Sequence, residues 1–181
     1  MTAQLIIFFL LALTGGCSPH PAVQAEEIIW DQNRRLSWDD FTKRTGHAGV
    51  FKAYTTAGMR YTIDAPDGEI LIQVEAYFLP KESWVHIDFQ EDDLLAHEQA
   101  HFDIAAIYAR KLASDLAELQ VDTETFIARD YGQRAGEIFD RLYDELQATQ
   151  TRYDKETEHS TRKEEQQKWE VWIADQLGLP N

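Results

Sequence analysis

The sequence predicts an α+β fold: a small antiparallel sheet followed by long helices. The prediction rests on a change of period along the chain. Between residues 59 and 89 apolar residues alternate with period two, and after Glu91 they recur at helical spacing. Strands grouped first and helices grouped afterwards mark the α+β class rather than alternating α/β units.

Before the strands, Leu36-Ser37-Trp38-Asp39-Asp40-Phe41 reads as a short packed turn or helix start. Met59, Tyr61 and Ile63 form the first alternating run, and Ile70, Ile72, Val74, Ala76 and Phe78 the second. Ala65-Pro66-Asp67-Gly68 between them is turn chemistry, with Pro presetting φ and Gly accepting positive φ. A third strand is expected within Trp84 to Phe89. Asp92-Asp93 is a plausible N-cap, and Leu94, Leu95, Phe102, Ala105, Tyr108, Leu112, Leu116 and Leu119 predict a helix over about 93–119. Residues 121–136 are weaker, with Gly132 and Gly136 as interruptions. A second helix, about 134–158, follows Ile138, Phe139, Leu142, Leu146, Thr149 and Tyr153. A third, about 161–177, carries Trp169, Trp172, Ile173 and Leu177, with both tryptophans expected to anchor it; Gly178-Leu179-Pro180 stops it.

Residues 5–13 are continuously apolar, and these nine residues are too few for a bilayer span of about 20. They have the length of a signal-peptide core, so residues 1–16 are expected to be a signal peptide. Thr14-Gly15-Gly16 before Cys17 resembles a bacterial lipobox, which implies cleavage before Cys17 and acylation of its thiol. Residues 17–29 would then be a lipidated tether and 30–181 the folded domain. An ordinary secretory cut after Ala25 is the alternative. The expectation is a periplasmic lipoprotein anchored to the membrane, or else a soluble periplasmic or secreted protein. A net charge of −15 excludes nucleic acid as a natural partner, because phosphate binding needs a surplus of Lys and Arg. One cysteine excludes a disulfide framework and Cys-rich metal sites.

His97-Glu98-Gln99-Ala100-His101 lies inside the first predicted helix. Residues four apart share a face, so both imidazoles can reach one tetrahedral Zn²⁺, with Glu98 placed to take a proton from an attacking water. A catalytic zinc normally takes a third protein ligand. Asp103 is about 200° round the helix from His101, and Glu118 is about 25 Å further along it. Ile104 and Ile107 stand where an extended motif would carry Gly and His, and no Met follows for a Met-turn. The remaining cluster is Tyr153-Asp154-Lys155-Glu156-Thr157-Glu158-His159. If the two long helices form an antiparallel hairpin centred near residue 127 or 128, residue 99 lies opposite about residue 157. His159 is then the first choice for the third ligand, Glu156 the second and Asp130 the third. Tyr153 either donates a hydrogen bond to the oxyanion of hydrolysis or continues the core stripe. His47 and His86 read as strand-surface or satisfied core histidines.

These segments, together with Ser83-Trp84-Val85 and Leu95 to Ile104, resemble a bacterial family of unknown function described as predicted secreted zinc-dependent proteases. The resemblance runs over about 30–175. It implies a zincin-like site with His97 and His101 as ligands, Glu98 as base and a role for His159; Ser160 stands where relatives are expected to have Gly. The expected protein is therefore an exported zinc peptidase of zincin-like architecture acting on peptide or protein in the cell envelope. Residues 84–89 would be an edge strand holding the substrate. The rival expectation is a non-enzymatic envelope lipoprotein with a structural metal site or no metal. Amidase action on cell-wall peptide would use the same residues.

Overall fold

The β-rich part is organised by one hairpin, β4 (Ala57–Asp64) and β5 (Leu71–Phe78), paired antiparallel with Met59 opposite Ala76 and Ile63 opposite Ile72. This computed structural model describes residues 27–46, 49 and 51–179. Pro66–Gly68 turns the hairpin, with Asp67 and Gly68 both at positive φ. Alternation buries Met59, Ile72, Ala76 and Phe78 on one face. Ile63, expected inside, is exposed, in the distal half of β4 where all three final residues are exposed.

Two three-stranded sheets form where one was expected. The first has the order β1-β5-β4, with β1 (Ile28–Ile29) antiparallel to β5, so residues 28 and 29 belong to the fold rather than to a tether. The second has the order β2-β6-β3: β6 (Trp84–His86) lies parallel to β2 (Thr42–Arg44) and antiparallel to β3 (Ala53–Tyr54). This corrects the expectation of an edge strand over 84–89. Both edges of β6 are paired, and Ile87–Phe89 is a 3-10 turn, so no row of free backbone groups is left there.

α1 (Asp92–Leu116) lies between layers, packing against β4 and β5 on one side and against α3 (Tyr131–Thr157) and α4 (Lys163–Leu177) on the other. That placement explains its run of small residues: Ala100, Ala105, Ala106 and Ala109 are all buried. Phe102 meets Phe78 with ring centroids 5.8 Å apart, joining helix to sheet. The segment read as a weak connector holds a helix of its own, α2 (Thr123–Ala128), capped by the Asp122 carboxylate on Thr125 N (2.8 Å). Gly132 and Gly136 lie inside α3. Their cost of about 1 kcal/mol each is outweighed by a stripe of Ala135, Leu142, Leu146 and Tyr153 buried against α1 and α4. Tyr108 Oη and Thr149 Oγ1, 2.7 Å apart, mark the antiparallel register. α4 ends at Gly178, in the left-handed conformation expected of a C-cap glycine. Trp169 is buried, edge-on to Tyr153 at 5.3 Å and to Trp172 at 5.2 Å, so the two tryptophans anchor α4 as expected. Among the described residues no helix is long and apolar enough to cross a membrane.

Leu112 is fully buried where α1 is covered on both sides. Leu112→Ala is expected to cost about 2–5 kcal/mol, read as a lower denaturant midpoint with an unchanged m-value.

Candidate metal centre

His97 and His101 project from one face of α1, with ring centroids 4.9 Å apart. Each ring is fixed by a glutamine from another helix. Gln166 on α4 donates Nε2–H to Glu170 Oε1 (3.1 Å); a carboxylate only accepts, so the amide oxygen of Gln166 faces inward. That oxygen lies 2.8 Å from Tyr153 Oη and 3.2 Å from His97 Nδ1, so both are donors to it. Gln150 on α3 donates Nε2–H to the His101 carbonyl (2.8 Å), which turns its oxygen onto His101 Nδ1. Both imidazoles therefore carry a proton on Nδ1, and each has its Nε2 directed elsewhere.

Both Nε2 atoms point at one oxygen, Asp154 Oδ1, at 3.1 Å from His97 and 3.0 Å from His101. His159 Nδ1 comes to 3.3 Å of the same atom. Neutral rings with Nδ1 protonated would set lone pairs against a carboxylate, so positive charge is required there, as protons or as a cation. The titration of the metal-free chain reflects this. Burial lowers the His101 pKa, but the Asp154 hydrogen bond and the charges of Glu98 and Asp154 outweigh it and raise the value overall. Burial alone would raise the Asp154 carboxyl; hydrogen bonds from His101 and His97 hold it well below the usual range. Donor atoms of His97, Asp154 and His159 lie within 4.8 Å of one another and could hold a metal ion, with His101 facing the same carboxylate oxygen.

Glu98 is buried beside this cluster, and its Oε2 has no hydrogen-bond partner among the described residues. Its backbone is pinned by Thr55 Oγ1, which donates to the Glu98 carbonyl (3.3 Å). An unpaired buried carboxylate oxygen costs free energy.

His159 is delivered by an unusual turn. Glu158, His159 and Ser160 have φ of 46°, 51° and 74°, three consecutive non-glycine residues in the left-handed region. Each costs about 1–2 kcal/mol relative to ordinary backbone. The turn is held by His159 N–H on the Asp154 carbonyl (3.1 Å) and Arg162 N–H on the Thr157 carbonyl (2.9 Å).

Of the residues expected here, His97, His101 and His159 surround Asp154, and Glu98 lies alongside. Tyr153 takes the second of its two expected positions, continuing the core stripe. It is fully buried, stacked on His97 at 4.6 Å with rings 18° apart, and its hydroxyl donates to Gln166 Oε1 (2.8 Å), with the His97 carbonyl at 3.3 Å. Burial pushes its phenol well above the usual range, so it supports the ring from behind instead of facing an oxyanion. Glu156 turns to α4, accepting from Trp169 Nε1 (2.8 Å). Asp130 starts α3 at the opposite end of the hairpin. Asp103 faces away as its helical angle predicts, accepting from Trp30 Nε1 (2.8 Å), Gln99 Nε2 (2.8 Å) and Arg35 Nη1 (3.1 Å). His86 is buried against the Gly46 carbonyl and is not among the donors of the cluster. Cys17, His47 and the expected leader lie outside the described residues. Sequence reasoning missed Asp154, Gln150 and Gln166. The signal was present: Gln150 and Asp154, four apart, repeat the spacing of His97 and His101 on the facing helix.

Ser160→Gly is expected to stabilise the protein by about 1 kcal/mol, read from the denaturant midpoint. The raised His101 pKa makes a second prediction. Its stabilising contribution is fully present below the ordinary imidazole value of 6.5 and is lost as pH rises through the higher folded value. Metal-free protein should therefore lose stability on the alkaline side of 6.5, and Asp154→Asn should flatten that loss in denaturation midpoints measured across pH.

No curated protein and no solved structure matches the chain. Residues 33–160 match the family described as "Bacterial protein of unknown function (DUF922)", a span that takes in β2 to α3, Glu98 and all three histidines of the cluster. With most of its length inside that match, the chain belongs to this family of bacterial proteins of unknown function.

Proposed function

We propose that this protein is a zinc-dependent hydrolase, most simply a peptidase, in which His97, His101 and His159 supply the metal donors, Asp154 faces all three and Glu98 is the general base. The observation that carries the reading is the buried, unpartnered Oε2 of Glu98, one residue along the helix from a ring whose Nε2 has been freed for donation. The donor types fit the ion, since zinc takes imidazole nitrogen and carboxylate oxygen, and the donor atoms of His97, Asp154 and His159 lie within 4.8 Å of one another, with His101 Nε2 3.0 Å from the same Asp154 oxygen. A zinc ion there would polarise the scissile carbonyl and acidify water.

The chain's own groups supply the rest. Gln166 and Gln150 hold the two tautomers that present Nε2. Glu98 takes the proton of the attacking water and passes it to the leaving nitrogen as the C–N bond breaks. Its burial keeps bulk water from competing for that proton. An amide of peptide or of cell-wall peptide in the envelope is the substrate class, with export and a lipid anchor at Cys17 supported by the leader-like residues 1–17. The zincin-like architecture is part of the same proposal; it is supported by the motif helix following a β-rich half.

One observation favours a second reading, a structural metal site in a non-enzymatic envelope protein. Asp154 gives the cluster a fourth protein donor, and four protein ligands are the mark of a closed site.

Protein purified without added metal is expected to hold about one zinc per chain, lost in a His97→Ala/His101→Ala double variant. Glu98→Gln should keep the zinc and lower kcat by about 10²-fold or more. Zinc retained by the unaltered protein without hydrolysis of a broad peptide and cell-wall peptide library would overturn the enzymatic reading in favour of the structural one.

A further inference from the structure

We infer that Phe51 forms an apolar subsite at the mouth of this centre and selects substrates with an aromatic or large aliphatic side chain next to the scissile amide. The inference rests on the hydrolase reading and names the substrate feature that reading leaves open.

Side-chain exposure around the cluster is graded. It rises from 2% at His97 and 13% at His101 to 33% at Asp154 and 48% at His159. The sheet covers one side of α1, and Tyr153 and Gln166 close the back of His97, so the exposed edge of the cluster is its Asp154–His159 side. On that side stands Phe51, 50% exposed, with its ring edge-on to the His159 ring at 5.1 Å and 88°. It precedes β3, whose following residue Thr55 is fixed to the Glu98 carbonyl, so both ends of this short segment are tied to the centre.

The ring is half exposed, while the core begins two residues on, at buried Ala53. Phe51 is thus held against His159 without being covered. A substrate side chain laid beside it would remove apolar surface from water on both partners, which is the condition for a specificity contact. The His159 ring, seated in its left-handed turn, gives Phe51 a fixed edge to lean on, so the subsite is shaped before substrate arrives.

The test uses the zinc-loaded full chain and two hydroxamate-capped dipeptides, one with a phenylalanine side chain and one with glycine at the position next to the hydroxamate, titrated by calorimetry. The phenylalanine ligand is expected to bind about tenfold tighter or more. Phe51→Ala should reduce that preference to near unity while zinc content stays the same, and Phe51→Leu should keep most of it. An unchanged preference in Phe51→Ala, or none in the unaltered protein, overturns the subsite while the metal reading stands. Failure of both hydroxamates to bind the zinc-loaded chain overturns the hydrolase reading, and the subsite with it.

Discussion

The tertiary structure converges on Asp154 Oδ1. This single oxygen faces His97 and His101 from α1 and His159 from the turn after α3, so it joins the central helix, its hairpin partner and the passage into α4. Charge-assisted hydrogen bonds to a partly buried carboxylate are among the stronger contacts available to a fold. Here they also gather like groups, lone pair against lone pair, in a way that only positive charge can reconcile. Several other features make sense as support for that arrangement. Two glutamines from different helices hold the rings, a buried tyrosine stacks behind one of them, and Trp169 steadies both the tyrosine and Glu156.

The cluster sits among local compromises. Glu98 is buried without a partner for Oε2, and three successive non-glycine residues take up left-handed backbone. Costs of this kind persist where the surrounding packing over-determines them, and they gather at functional sites. Both lie within the family match, around a centre whose proposed role requires a desolvated base and a ring delivered at a particular angle. The opposite face of α1 shows none of this. Gln99 and Asp103 are satisfied there by Leu36 N–H, Trp30 and Arg35, which tie the N-terminal segment to the helix.

The long helices were readable in the sequence because their apolar stripes are continuous. α1 and α4 fall within a few residues of their predicted bounds, and Gly178 stops α4 where expected. Where tertiary contacts decide, periodicity was silent or misleading. Gly132 and Gly136 suggested an interruption that packing overrides, and α2 was hidden because six residues show too little of a helical stripe. The register itself is close to that of arms of equal length, since Tyr108 meets Thr149 and so sets residue 99 opposite about 158, while the longer side chains reach along the helices from His97 to Asp154 and from His101 to Gln150. The central position of β6 was not legible either, since a parallel partner forty residues earlier leaves no mark on local alternation.

The 57-position separation between His97 and Asp154 bears on how the protein matures. A chain that has formed α1 but not the end of α3 presents two rings alone, and two rings grip divalent ions weakly. On the proposed metal reading, cation capture would be deferred until the hairpin has docked, so a half-made intermediate would not be trapped around an ion, and loading would report that long-range assembly is complete.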